Sequence, residues 1–486
     1  MPKLRMERSM GHDRAGEIRG NRAHGGVLAV LSVAQFLIAL DYSIIYIALP
    51  SIAGDLHIEP TLAQWIVSAY AVLFAGFLVV GGRLSDRIGA KRLFIAAIVT
   101  FGLASAAGGA AGDGTVLLAA RGAQGLGAAL LQPAVLALIG TTFPAGPARS
   151  RAVAVWGSVG ALGLAAGAIL GGLLTTVSWR LIFVVNVPLT LLCALGAAVW
   201  IGSALSRTPA NRIPMLAAVL GTSTALMLVL GLTLSSYLGW GAPLTIVCLG
   251  LALILFLLFV RNEKTSRNVL IEPVLRSTHS LQVGAAATAL YMASVGSEFF
   301  LLTLLLQGLK AYTPLQAGLA FLPLALMVTA GSTTAGRLVR QLNPATVLAG
   351  GFTIAALGLL LLTFTLSGDS YTAALLPGLL LSGFGHGAIY TSMFIIGTHD
   401  VPSAHQGTAG ALLTTSQYLS GALTLAALTL ALGPSPDNAR FRIAFLITTV
   451  TAAAGLLLIA AQRRRLETRP YADIGLPSTE ESLQDS

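Results

Sequence analysis

Gly81-Gly82-Arg83-Leu84-Ser85-Asp86-Arg87-Ile88-Gly89-Ala90-Lys91-Arg92 lies between two long apolar runs and reads G-x-x-x-D-R-x-G-x-K-R from Gly82. Its glycines allow a sharp reversal and a close approach of the flanking helices, because glycine has no side chain and tolerates positive φ. Arg83, Arg87, Lys91 and Arg92 load one short loop with cations, and such loops stay on the cytoplasmic side of a membrane. Asp86 stands among them as an ion-pair or helix-end partner. An ordinary basic loop needs the cations but not Gly82, Asp86 and Gly89 at these spacings.

The run resembles the loop 2–3 signature of the major facilitator superfamily of transporters. A fainter copy follows half a chain later, where Gly336-Arg337-Leu338-Val339-Arg340-Gln341-Leu342-Asn343-Pro344 aligns with Gly82 to Ala90. The Gly-Arg-Leu start is kept and Asp86 is replaced by Arg340. A parallel internal repeat leaves such a trace and implies two related bundles facing each other.

Composition places both loops in a membrane protein. Hydrophobic residues make up 55% of the 486 and charged residues only 10%, against roughly a quarter charged in soluble domains. Apolar runs of about twenty residues recur, each able to cross a hydrocarbon core of about 30 Å. They fall at 25–49, 61–81, 92–112, 115–142, 150–174, 180–202, 213–235, 242–260, 280–307, 314–336, 345–366, 371–397, 408–432 and 440–461. The expected fold is therefore an all-α integral membrane protein of fourteen transmembrane helices, in two six-helix pseudo-repeat bundles with two extra helices between them. Residues 1–24 and 462–486 read as cytoplasmic tails, 25–202 and 280–461 as the bundles, and 203–279 as a linker carrying the surplus pair. Residues 1–24 lack the apolar core and cleavage site of a signal peptide.

Charge supports that count. With the amino terminus inside, cytoplasmic segments hold 24 of the 29 basic residues, external segments hold Arg180, Lys310, Arg440 and Arg442, and Arg121 lies within a span. A miscount by one helix would scramble this alternation. The loop near Val401 has no Lys or Arg and fits it least well. The bases of the linker are Arg207, Arg212, Arg261, Lys264, Arg267 and Arg276. The net charge of +10 sits in loops and tails and does not indicate nucleic-acid binding. Cys193 and Cys248 fall inside apolar runs and form no motif.

Function is expected where charge enters the membrane, because an ionised group in hydrocarbon costs several kcal/mol unless it is paired or hydrated. Asp41, Arg121 and Glu298 lie well inside spans, each about 9–13 Å from an outer helix end at about 1.5 Å per residue. Asp41 or Glu298 can serve as the proton-binding group, with Arg121 favouring the ionised form of a neighbouring carboxylate. The alternative is a permanent Asp41–Arg121 pair that staples two helices. His386 is read as a packing or cavity residue in preference to a proton relay, and Trp65, Tyr70, Trp156, Tyr291, Phe299, Phe300 and Tyr418 as lining either a cavity or the lipid face. No nucleotide-binding Gly-Lys-Ser/Thr loop, zinc-ligand spacing or Gly-x-Ser-x-Gly run is present, so no enzyme chemistry, metal or cofactor is expected.

Further stretches resemble the fourteen-span drug:proton antiporter family. Leu40-Asp41-Tyr42-Ser43-Ile44-Ile45-Tyr46-Ile47-Ala48-Leu49-Pro50 is similar to its first-helix motif L-D-x-T-V-V-N-V-A-L-P, with Ser43 for Thr and Tyr46 for Asn. The run from Leu117 through Arg121 to Ala129 resembles its fourth-helix motif, whose Arg is implicated in proton transfer. Gly163, Gly167, Gly171 and Gly172 resemble G-x-x-x-G-P-x-x-G-G, with Ala168 in place of the proline, so the proline kink is not expected. Gln307, Pro314, Gln316-Ala317-Gly318, Phe321-Leu322-Pro323 and Gly407 to Gly421 match it less closely. The resemblance implies gating by Gly82, Asp86, Arg87, Gly89, Lys91 and Arg92, with Asp86 against the amino end of the thirteenth span near Gly407. It implies a proton-coupled exporter of lipophilic small molecules, driven by the proton gradient, working as a monomer in the plasma membrane by alternating access. An exporter of one natural product, or an importer of the same fold, remains the alternative.

Overall fold

Proline opens and glycine closes many of the helices, as expected where φ must be preset at a start or turn left-handed at an end. Pro147, Pro243, Pro314 and Pro344 stand in the first turns of their helices. Gly239 and Gly433 follow helix ends with φ of 87° and 64°. The computed structural model describes residues 2–58, 60–144, 146–202, 214–266, 269–368, 370–402, 405–433 and 436–467. Every regular element among them is helical. Arg207, Arg212 and Arg267 of the linker, and the tail beyond 467, lie outside the described residues.

The first bundle comprises α1 (Pro2–Asp55), α2 (Pro60–Ile88), α3 (Ala90–Gly109), α4 (Gly114–Thr142), α5 (Pro147–Val177), α6 (Leu181–Val184) and α7 (Asn186–Trp200). A hairpin of α8 (Met215–Leu238) and α9 (Pro243–Thr265) follows. After the short α10 (Pro273–Ser277) come α11 (His279–Ala293), α12 (Val295–Thr303), α13 (Pro314–Ala320), α14 (Leu322–Leu338), α15 (Pro344–Thr365), α16 (Leu376–Thr398), α17 (Gln406–Leu432) and α18 (Asn438–Glu467). Within the first bundle α1 packs on α5 and α7, and α4 on α2 and α3; in the second, α16 packs on α14 and α15, and α11 on α17. The α8–α9 hairpin stands between the bundles in chain order. It lies alongside, with α8 against α2 and α17.

Among the described residues, twelve stretches are long and apolar enough to cross a membrane, or thirteen when the bent α5 is taken as one span. The expected fourteen is not reached. The stretch that falls short is α17, whose 27 residues suffice in length at about 1.5 Å each. Its amino-terminal part carries Thr408, Thr414, Thr415, Ser416, Gln417 and Ser420, which dilute its apolar character. A second correction concerns α5. Without a proline at 168, its pieces Pro147–Leu164 and Ile169–Val177 still meet at 42°. Gly163 and Gly167 supply the freedom: a Cβ at Gly163 would lie 2.7 Å from the Phe36 carbonyl oxygen, and one at Gly167 2.6 Å from that of Leu40. The helix bends where glycine lets it close on α1.

The bases assigned to the outer side are each tied down locally at the end opposite the Gly82–Arg92 loop. Arg180 pairs with Asp55 at 2.8 Å and stacks on Trp179. The indole N–H of Trp179 and then Arg180 hold the Asp55 carboxyl below the usual range. Lys310 donates to the Gly368 carbonyl at 2.7 Å, and Arg442 to Ser367 at 3.1 Å. Arg440 donates to the Leu432 carbonyl at 3.0 Å, complementing the carboxyl end of α17. A structural task at each position explains why these exceptions to the charge pattern persist.

Candidate functional site

Asp41 sits in the carboxyl-terminal third of α1, 1% exposed, and faces its own bundle. Its Oδ2 accepts a hydrogen bond from Arg121 Nη1 of α4 at 2.6 Å. Its Oδ1 accepts from Gln124 Nε2 and from Asn186 Nδ2, both at 2.9 Å. Ser105 of α3 in turn accepts from Gln124 at 2.8 Å. Arg121, also 1% exposed, donates through Nε to the Ile66 carbonyl of α2 at 3.2 Å and through Nη1 to Gln124 Oε1 at 3.0 Å. Its guanidinium lies 4.6 Å from the centre of the Tyr70 ring. Five helices are thereby joined through one carboxylate and one cation, with both charges met by partners, as a buried ion pair requires.

The stripe on α5 fixes the height of this carboxylate. Gly163 and Gly167 admit the α1 backbone at Phe36 and Leu40, the latter adjacent to Asp41. Ser43 Oγ donates across to the Leu164 carbonyl at 2.9 Å. Gly171 is buried, whereas a Cβ on Gly172 would meet Leu315 of α13 only at 3.7 Å, an ordinary contact. A close approach to the α1 backbone is thus seen at Gly163 and Gly167.

Glu298 is not part of the Asp41 cluster. It lies at 0% exposure in the first turn of α12, just beyond a break at Ser294 with φ −110° and ψ −103°. Its Oε1 accepts from Ser382 Oγ of α16 at 2.6 Å, and its Oε2 has no hydrogen-bond partner among the described residues. One turn along α16, His386 Nε2 and the Tyr291 hydroxyl are 2.5 Å apart. The three charges predicted at similar depth therefore form one pair in the first bundle and one isolated carboxyl in the second.

The Gly82–Arg92 loop is where the bundles meet. Asp86 accepts hydrogen bonds from the backbone N–H groups of Gly407 at 3.0 Å and Thr408 at 2.9 Å, and from the Thr408 hydroxyl. These are first-turn groups of α17 that no intrahelical acceptor serves. Gly82 makes room: its Cβ would stand 2.6 Å from Ala411 Cβ and 2.9 Å from the Gly407 carbonyl oxygen. The repeated loop makes the mirror contact, with Gly336 of α14 against Ala154 of α5 and Ser332 Oγ donating to the Ala154 carbonyl at 2.9 Å. The Trp156 ring of α5 packs tilted against Tyr390 and edge-on against Phe394 of α16. This end of the molecule is closed.

Not every predicted gating residue crosses the interface. Gly89, at φ 92°, makes the turn between α2 and α3. Lys91 donates to the carbonyls of Ile201 at 2.5 Å and Ala198 at 3.3 Å, at the carboxyl end of α7 in its own bundle. Arg87 and Arg92 are exposed. Among the predicted gating residues, Gly82 and Asp86 make the contacts with α17.

A family model of the Major Facilitator Superfamily matches residues 31–214 and 206–425. The chain belongs to the major facilitator superfamily. Among curated relatives, the puromycin resistance protein pur8 of Streptomyces alboniger is 36% identical, over 82% of this chain and 80% of that protein. The cephamycin export protein CmcT of Amycolatopsis lactamdurans is 34% identical over 82% and 83%. The lincomycin resistance protein of Streptomyces lincolnensis is 30% identical over 96% of both chains. The fold is also that of the human organic anion transporter MFSD10, with a TM-score of 0.65 at 15% identity over 90% of this chain and 99% of that one. The proton:xylose symporter XylE gives 0.64 at 14% identity over 91% and 96%. This chain is thus a multi-pass membrane protein of a transporter superfamily, with antibiotic resistance and export proteins among its relatives.

Within this superfamily member the residues that sequence reasoning passed over are Gln124, Asn186 and Ser105. Gln124 lies three residues after Arg121 and so on the same helical face, a signal the sequence did offer. Asn186 reaches Asp41, and Ser105 reaches Gln124, only through packing of α7 and α3, which no local pattern reports.

Proposed function

We propose that the protein is a proton-coupled antiporter that exports lipophilic small molecules, among them drugs, antibiotics or toxic metabolites, across the plasma membrane by alternating access. The carrying observation is the Asp41–Arg121 pair, 1% exposed on both sides and held in the membrane interior. In the arrangement seen, Arg121 and the amides of Gln124 and Asn186 match the ionised carboxylate. A proton arriving at Asp41 removes the charge those donors serve and frees Arg121, so loading is coupled to a rearrangement of α1 against α4. The closed end with the Asp86–α17 contact is the cytoplasmic gate, both termini lie on that side, and α17 also crosses the membrane, as the thirteenth of fourteen spans. The resistance and export activities named for the relatives support outward movement of small molecules. Their antibiotic-specific names favour, as the second reading, an exporter dedicated to one natural product.

Everted membrane vesicles with ethidium added outside test this directly. Energised vesicles carrying the wild-type protein are expected to move the dye, and a protonophore is expected to stop it. Movement that survives collapse of the proton gradient would remove the coupling. Glu298→Gln keeps the shape and the Ser382 bond but cannot carry a proton. It is expected to reduce gradient-driven movement while leaving downhill exchange intact; unchanged gradient-driven rates would assign Glu298 to packing.

A further inference from the structure

The chain crosses its closed end with a strap, residues 269–278, that the two bundles alone do not require. The strap is built to hold its shape. Glu263 accepts from the backbone N–H groups of Leu270 at 2.7 Å and Ile271 at 3.0 Å and pairs with Arg276 Nη2 at 2.6 Å. Arg276 also donates to the carbonyls of Ile271 at 2.8 Å and Glu263 at 3.0 Å. Leu270, 1% exposed, packs with Val79 and Val80 of α2, Ala217 and Ala218 of α8 and Phe259 of α9.

Arg83 grips this strap with all three guanidinium nitrogens. Nε donates to the Leu270 carbonyl at 2.5 Å, Nη2 to the Val269 carbonyl at 2.8 Å and Nη1 to Glu272 Oε1 at 2.5 Å. The second oxygen of Glu272 lies 3.3 Å from His405 Nε2. His405 immediately precedes α17, the helix whose first N–H groups Asp86 holds. Arg83 and Asp86 stand three residues apart on one face of α2. One turn of α2 therefore holds α17 twice, once directly through Asp86 and once through the strap.

We propose that Glu272 is a positioning residue of the gate: through Arg83 on one side and His405 on the other, the strap latches α17 to α2, and the latch must release each time this end opens. The proposal rests on the transport reading above, but its gate readout does not depend on protons or substrate. The strap's own fold is fixed by Glu263 and Arg276, so Glu272→Gln leaves it in place and retains an acceptor for Arg83.

Spin labels at Arg151→Cys of α5 and Arg340→Cys beyond α14, both exposed positions on opposite bundles, report opening in the full chain with Cys193 and Cys248 replaced by alanine. Glu272→Gln is expected to raise the long-distance population by up to about fivefold, the range of a partly exposed ion pair. His405→Gln is expected to raise it similarly, and combining the two to add little. Unchanged distance distributions in both variants would overturn the latch. As a second arm, Glu272→Cys with His405→Cys joined by a short thiol cross-linker is expected to stop ethidium transport until the link is reduced. Full transport while cross-linked would equally overturn it. If the unlinked parent moves no ethidium, the export reading fails, and the spin-label distances still decide the latch.

Discussion

Arg121→Ala is expected to cost about 3–5 kcal/mol of stability, because it strands the Asp41 carboxylate in the bundle without its cation. Neutral donors from Gln124 and Asn186 remain, but they do not replace a charge at 2.6 Å. Asp41→Asn alone strands the guanidinium in the same way. The double variant Asp41→Asn with Arg121→Gln removes both charges and is expected to recover most of the thermal stability, since neutral replacements of a buried pair are often well tolerated. It is not expected to recover gradient-driven transport. That split separates two roles the pair could have. A helix staple is restored when stability is restored, whereas a proton site stays dead. Thermal unfolding followed beside vesicle transport reads both outcomes; a double variant that regains gradient-driven transport would make the pair structural.

Asp86→Ala is expected to weaken the closed gate by about 2 kcal/mol, the upper range for an acid at a helix amino terminus, or roughly thirtyfold in a two-state population. Turnover is expected to fall while ethidium affinity changes little, because Asp86 touches α17 at the end of the bundle, far along α2 from the Arg121 contact at Ile66. Gly82→Val acts at the same interface by sterics. Its added carbons would occupy the space taken by Ala411 and the Gly407 carbonyl, so α2 and α17 cannot close. Both variants are expected to shift the same spin-label distances toward the open state. Equal loss of binding and turnover would contradict a gating role for Asp86.

The contact between the bundles was more legible in the sequence than the arrangement of the buried charges. Gly82 and Asp86 stand in a short motif whose spacing depends on a local close approach, and the structure shows that approach. The half-chain echo at Gly336 was legible for the same reason, and it makes the matching contact with Ala154. Arg121 and Asp41 were visible because charge is rare in apolar spans, and they do meet. Glu298 met the same criterion and yet stands alone with Ser382, because depth along a helix does not say which face points to which neighbour. Lys91 looked like a gate cation and instead caps α7; a count of loop charges cannot tell one task from the other. The bend of α5 was missed because the expectation waited for a proline, whereas glycine against an approaching backbone is enough. Arg83 was read as one positive charge among four, and its acceptors lie on a strap some 190 residues away in sequence.

The central claim is that H⁺ movement passes through Asp41. Purified wild-type protein and Asp41→Asn, each in proteoliposomes, can be compared for ethidium movement driven by an imposed pH gradient and for dye exchange with no gradient. The account predicts that Asp41→Asn keeps exchange and loses the response to the gradient. Gradient-driven movement at the wild-type rate in Asp41→Asn would contradict it.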